Sequence, residues 1–161
     1  MKIFQLHKSQ FVPASIEQAW SFFSNPNNLE KITPPDLSLR VKGTTPDKVY
    51  SGMIIEYTVA PLFSFKSSWL TEIKNVVEGK MFIDEQRVGP YKLWYHQHLF
   101  HEIEGEVEIE DIVHYALPCG PFSSLVNETI IKNKLDKIFF YRRKVINDLF
   151  ANTSKKGTYN V

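Results

Sequence analysis

Four of the chain's five histidines fall within residues 94–115, WYHQHLFHEIEGEVEIEDIVHY. Imidazoles two residues apart with carboxylates close by suit three kinds of chemistry: proton transfer, metal ligation, and hydrogen bonding to a bound molecule. Which of these is open depends on the side chains that share a face. Alternate residues of a strand do so. On the first arm Trp94, His96, His98 and Phe100 point one way, and Tyr95, Gln97, Leu99 and His101 the other. Glu104-Gly105 suits a two-residue turn, with glycine supplying a positive φ. Phe100 then opposes Ile109, His98 opposes Asp111, His96 opposes Val113 and Trp94 opposes Tyr115. This register gathers the aromatic residues on one face and the charged ones on the other, and a slip of one residue would mix them.

Directly opposed Cβ atoms lie roughly 4.5–5.5 Å apart, so a His98–Asp111 hydrogen bond is expected. Three roles are open to the pair. Two buried polar groups can simply satisfy each other. They can form a polar lining that orients a ligand. They can also form a catalytic dyad, with Asp111 orienting His98 as an acid–base group. The two histidines and nearby aspartate also resemble zinc ligands. However, His96 opposes Val113 and no second ligand cluster is visible, so no metal is expected. No cofactor is expected either, because there is no phosphate loop or nucleophile motif. His101 and His114 fall on the solvent face, and His7 has no partner identifiable from the sequence. Cys119, in the turn LPCGP, has nothing nearby to activate it.

Elements around the hairpin must position these groups. KIFQLHKSQFVP is β-prone and is ended by Pro13. In SIEQAWSFF, Ser15 and Gln18 match a capping box ahead of one apolar helical face. Asn25 can cap a second short helix with Pro26 at its first position, stopped by Pro34 and Pro35. LSLRVKG, GMIIEYTVA, FKSSWLTEIKNVV and KMFIDEQRV read as strands, separated by TTPDK, PLFS and EGK. With the hairpin arms and the first strand this makes about seven, joined by short connections and therefore antiparallel. Trp69, in SSWLTEI, shares the less polar face of its strand, and Tyr57 shares a face with Ile55 and Val59. From Phe122 to Phe150 the chain has no proline or glycine. Leu125, Ile131, Leu135, Ile138, Arg142, Val145 and Leu149 recur at helical spacing there. Arg142 could reach a ligand carboxylate or Asp84 from that seam, but snorkelling to solvent is the expectation. The polar segment 151–161 is expected to fray.

The 161 residues suit one domain over 1–150. Aromatic residues make up 14% of the chain, which favours a large core or an apolar cavity. A net charge of +1 gives nucleic acid little to hold. No apolar run reaches the length of a membrane span or a signal peptide, and a single cysteine fits a reducing compartment. A cytoplasmic protein is the simplest expectation.

The element order resembles the START-like, or SRPBCC, superfamily. VPASIEQAWSFFSNPNNLEKITPP, FIDEQRVGPYKLWYHQHLF and DIVHYALPCGP are similar to its small bacterial ligand-binding members related to polyketide cyclase-like domains. The resemblance implies an α+β helix-grip fold, a curved antiparallel sheet wrapped on the C-terminal helix. In MFIDEQRV hydrophobicity leaves the parity open, and the family's spacing before GPY implies that Asp84 and Gln86 face inward. The implied function is binding of a small hydrophobic or amphipathic molecule between sheet and helix. Tyr57, Trp69, Asp84, Gln86, Trp94, His96, His98, Asp111 and Tyr115 are the candidate contacts. The alternatives are a cyclase or aromatase using His98 and Asp111, and a protein-interaction domain without a ligand.

Overall fold

The structure, a computed structural model, describes residues 1–60 and 67–156, with side chains to residue 151. The expected turn at PLFS and the chain beyond residue 156 lie outside the described residues. Strand β1 (Phe4–Val12) leads to helix α1 (Ile16–Phe23). The capping box forms: Ser15 Oγ accepts from the Gln18 amide, and Gln18 Oε1 accepts from the Ser15 amide. Asn25 caps as expected, but the element that follows is a 3-10 turn, Pro26–Asn28. A second 3-10 turn, Pro35–Leu37, comes before β2 (Arg40–Val41).

Strands β3 (Ile54–Val59), β4 (Ser67–Val77), β5 (Met81–Val88), β6 (Leu93–Ile103) and β7 (Glu106–Ala116) complete one antiparallel sheet of order β1-β7-β6-β5-β4-β3-β2. The first strand in the chain thus pairs with the last, Phe4 opposite Tyr115. Register shifts interrupt the β4–β5 ladder between Leu70 and Thr71 and between Lys74 and Val77. Such irregularities bend a strand. The β6–β7 register is the one the sequence predicts: Trp94 opposes Tyr115, His98 opposes Asp111 and Phe100 opposes Ile109. Glu104 and Gly105 both take positive φ, 52° and 86°, as a tight hairpin turn requires.

After a 3-10 turn (Gly120–Phe122) the chain stays helical through α2 (Ser123–Val126), a π turn (Asn127–Ile131) and α3 (Lys132–Lys156). The long C-terminal helix is therefore present, and it continues past residue 150. Its buried stripe differs from the expected one. Ile131, Leu135, Phe139, Arg142, Ile146 and Phe150 are buried, while Leu125 and Leu149 are exposed. The π turn inserts a residue into the helical phase. It turns Ser123 and Asn127 inward and leaves Leu125 outside. Among the described residues no helix is long and apolar enough to cross a membrane.

Two apolar clusters fill the space between sheet and helix. One packs Trp20, Phe82, Phe100, Ile146 and Phe150; the other packs Leu6, Trp94, Val113, Tyr115, Leu135 and Phe139. Strand β6 runs from one to the other, so its inward face reads Trp94, His96, His98, Phe100. The histidines sit at the joint.

Candidate functional site

A cavity of about 190 Å³ lies at this joint, bounded by β3, β4, β5, β6, the two 3-10 turns and the C-terminal helix. Ile55, Ile73, Phe82, Leu135 and Phe139 supply much of its apolar wall. Tyr57, Trp69, Asp84, Trp94, His96 and His98 line it, which brings together six of the nine residues singled out from the sequence. The other three lie elsewhere. Gln86 spends its amide on the β5–β6 turn: Nε2 donates to Tyr91 O (2.7 Å) and Oε1 accepts from Tyr91 N (3.2 Å). Tyr115 is buried and donates its hydroxyl to Asn127 Oδ1 at 2.7 Å, inside the second apolar cluster. Asp111 stands behind the histidines, on the side toward β1 and α3.

The polar end of the cavity is a buried cluster of Asp84, His96, His98, Asp111 and Arg142. His96 and His98 share a face of β6, and their ring centroids are 3.8 Å apart. The expected His98–Asp111 hydrogen bond is replaced by a crossed arrangement. His96 Nε2 donates to Asp111 Oδ1 at 2.8 Å, and His98 Nε2 donates to Asp84 Oδ2 at 2.9 Å. His98 Nδ1 does lie 2.9 Å from Asp111 Oδ1, but off the line a hydrogen bond needs. It and Ser24 Oγ are the buried side-chain polar atoms without a hydrogen bond among the described residues. The crossing arises because the histidines have a second hydrogen-bond acceptor on the other side: β5 places the Asp84 carboxylate directly opposite His96. His96 Nδ1 is 3.3 Å from Asp84 Oδ2.

Arg142 does not snorkel outward. It is 9% exposed, its guanidinium carbon lies 5.6 Å from the Phe139 ring centre, and its Nη1 is 3.6 Å from Asp111 Oδ1. Its partner is thus Asp111, where the sequence suggested Asp84. A guanidinium keeps its charge when buried, so this arginine can face a buried carboxylate permanently.

Two carboxylates and one guanidinium leave the cluster one positive charge short. His96 makes up the difference. Burial alone would lower its pKa, but Asp84 and Asp111 outweigh burial and raise it to about 9. Burial would raise the Asp111 carboxyl, yet Arg142, the His96 hydrogen bond and the nearby His98 ring hold it well below the usual carboxylate range. Asp84 is likewise held low against its burial, chiefly by His96. Burial and the Asp84 charge push the Tyr57 phenol up. The site can therefore orient a polar group, exchange protons with it, or hold a cation. Asp84, His96 and His98 present donor atoms within 4.8 Å of one another.

Two features were not read from the sequence. Leu29, Ile32 and Leu37, from the proline-rich connection, close one side of the cavity, and Lys134 joins Arg142 on the helix wall. Lys134 lies one position before Leu135 in the helical stripe, which was the available signal. The outer histidines are tied to the surface. His7 and His101 both bond Glu110, at 2.6 and 3.2 Å.

No protein-family model matches this chain, and no curated protein matches it. Solved structures do. Protein Ms6760 from Mycobacterium smegmatis is 17% identical with a TM-score of 0.67, over 92% of each chain. A START superfamily protein from the same organism is 10% identical with a TM-score of 0.70, over 92% of this chain and 98% of that one. The di-domain ARO/CYC StfQ, from the steffimycin biosynthetic pathway, is 7% identical with a TM-score of 0.72, over 95% of this chain and 52% of that one. Identities this low carry the fold and leave function to the site; the fold of this chain is the START-like, or SRPBCC, helix-grip fold.

Proposed function

We propose that this protein binds a small amphipathic molecule in the cavity between sheet and C-terminal helix. The observation that carries the reading is the division of the wall: aromatic and aliphatic side chains on most sides, and one compact polar end. A few convergent polar groups in an apolar pocket are what fix a ligand's orientation. The apolar body would lie against Trp69, Trp94 and Leu135, and its oxygen-bearing end would meet Asp84, His96, His98 and Arg142. The START-like neighbours support the same reading through the shared fold. Because Trp69 and Trp94 line the cavity, tryptophan fluorescence reports occupancy directly. Titration with anilinonaphthalene sulfonate should quench it saturably. Ile138→Trp, which places a large ring on the cavity wall, should abolish that binding with far-UV circular dichroism unchanged. Unaltered affinity in Ile138→Trp would place the ligand elsewhere.

A second reading is acid–base catalysis on a polyketide-like substrate. It is supported by His98 facing the cavity with Asp84 at 2.9 Å, and by the fold shared with the ARO/CYC di-domain. His98→Gln separates the two readings. A binding protein keeps most of its affinity for an apolar ligand, whereas an enzyme keeps the ligand and loses turnover.

A further inference from the structure

We propose that Asp84, His96 and His98 form a binding site for one divalent transition-metal ion of the zinc, cobalt or ferrous class. Asp111 and Arg142 support it from behind. From the sequence no metal is expected, because His96 opposes Val113 and no second ligand cluster is visible. In the sheet His96 lies between two strands, and the other neighbour places Asp84 opposite it.

The donor atoms are already gathered. Asp84 Oδ2 is 3.3 Å from His96 Nδ1 and 2.9 Å from His98 Nε2, and the three ligand atoms lie within 4.8 Å of one another. Bonds of about 2.0–2.1 Å in a tetrahedral site put neighbouring ligand atoms about 3.3 Å apart. Asp84 already stands near that distance from both nitrogens, and the two rings need only close within the 4.8 Å that bounds the three atoms.

The opposite nitrogens make the stronger argument. A metal-bound histidine nearly always donates its other ring N–H to a carboxylate or carbonyl, which fixes its tautomer and direction. His96 Nε2 already donates to Asp111 Oδ1, at 2.8 Å. His98 Nδ1 lies 2.9 Å from the same oxygen and is left without a hydrogen bond. If a metal takes His98 Nε2 from Asp84, a modest turn of the ring brings Nδ1–H into line with Asp111. The buried, unpartnered nitrogen is then satisfied. One carboxylate would orient both ligating rings, and Arg142, 3.6 Å away, would hold that carboxylate in place.

Placement agrees with this division of roles. Asp84, His96 and His98 line the cavity and Asp111 does not. The remaining coordination positions therefore face the space where a ligand's oxygen would enter. Two imidazoles and one carboxylate suit zinc, cobalt or ferrous iron, while calcium and magnesium call for more oxygen donors. Adjacent paired strands carry all three ligands, so the site is rigid. The metal site does not depend on the proposed amphiphile, and the two can be tested apart.

The protein, stripped with chelator and dialysed, is titrated with Co²⁺ and with Zn²⁺. Expected are one equivalent bound, intense visible bands of low-coordinate cobalt, and paramagnetic shifts confined to two of the five histidine rings. Asp84→Asn and His96→Gln should each lose the bands, Asp111→Asn should weaken binding about ten- to a hundredfold, and a His7→Gln, His101→Gln double variant should bind as wild type. Absence of stoichiometric uptake by the wild-type protein overturns the proposal. So does uptake that survives His96→Gln and vanishes in the double variant, because it would lie at the exposed Glu110 group. The wild-type histidine shifts decide the matter even if a variant fails to fold. Anilinonaphthalene sulfonate binding to metal-free protein that takes up no metal would overturn the metal site and leave the proposed function standing.

Discussion

Raising the pH should destabilise this protein well before its lysines titrate, and His96 sets the window. Its pKa is 6.5 in an ordinary setting and about 9 in the fold. A group whose pKa is raised by folding stabilises the fold fully below its unfolded value, and that stabilisation is lost as pH climbs through the folded value. The loss should therefore run from about pH 6.5 to somewhat above pH 9. A shift of that size corresponds to no more than about 3 kcal/mol. That is a large share of the total stability of about 5–15 kcal/mol typical of a domain. Asp84 and Asp111 act in the opposite direction. Both are held below the carboxylate value of 3.8, so their stabilisation is present above that pH and is lost as pH falls. Maximal stability should lie between about pH 4 and 6.5. Urea denaturation at half-unit steps from pH 5 to 10, with chelator present, reads the slope. His96→Gln keeps a donor for Asp111 but cannot titrate, and should flatten the curve between pH 6.5 and 9. A wild-type curve flat across that window, or an equal slope in His96→Gln, would refute the assignment of the missing charge to His96.

Tyr115→Phe should cost about 1–3 kcal/mol, because it strands the buried Asn127 Oδ1, and it should leave anilinonaphthalene sulfonate affinity unchanged; paired denaturation and binding titrations check both. Gly89→Ala places a methyl carbon 2.3 Å from Gln86 Oε1, in a side chain pinned by two bonds to Tyr91. Overpacking of that kind costs about 1–3 kcal/mol, and most of the cost should disappear in a Gln86→Ala background, measured as a double-mutant cycle. Ile146→Ala, at a site 1% exposed, should cost about 2–5 kcal/mol by urea denaturation.

The hairpin was readable because two local signals agreed. Gly105 marks the turn, and the alternation of aromatic and charged residues admits one register. The partner on the other side of β6 was not readable, because β5 reaches it through a turn whose parity depends on Gln86 gripping Tyr91. So the direct opposition of His98 and Asp111 could be foreseen, while the crossed hydrogen bonds that follow from Asp84 could not. Arg142 shows a similar limit. Helical spacing placed it on the seam, but whether a seam arginine turns in or out depends on a carboxylate far away in sequence. The helix phase before Lys132 was hidden as well. A π turn leaves no local composition mark, so Leu125 was assigned to the core and Ser123 and Asn127 were missed.

The pairing of β1 with β7 has a consequence for how this chain is made. Synthesis delivers β1 ahead of the other six strands, and the strand it needs emerges last of the seven, before the C-terminal helix. Long-range pairings of this kind slow folding, because a large loop must close before any contact rewards it. On the ribosome β2 to β6 can zip as successive hairpins while β1 waits, its inward-facing Phe4 and Leu6 uncovered. The wall that carries the histidines is complete only when β7 arrives, and the cavity closes only when α3 is laid across it. A chain stalled or truncated before Asp111 would present His96 without that carboxylate, on an open sheet with an unpaired edge. Such nascent chains are natural clients for a holding chaperone.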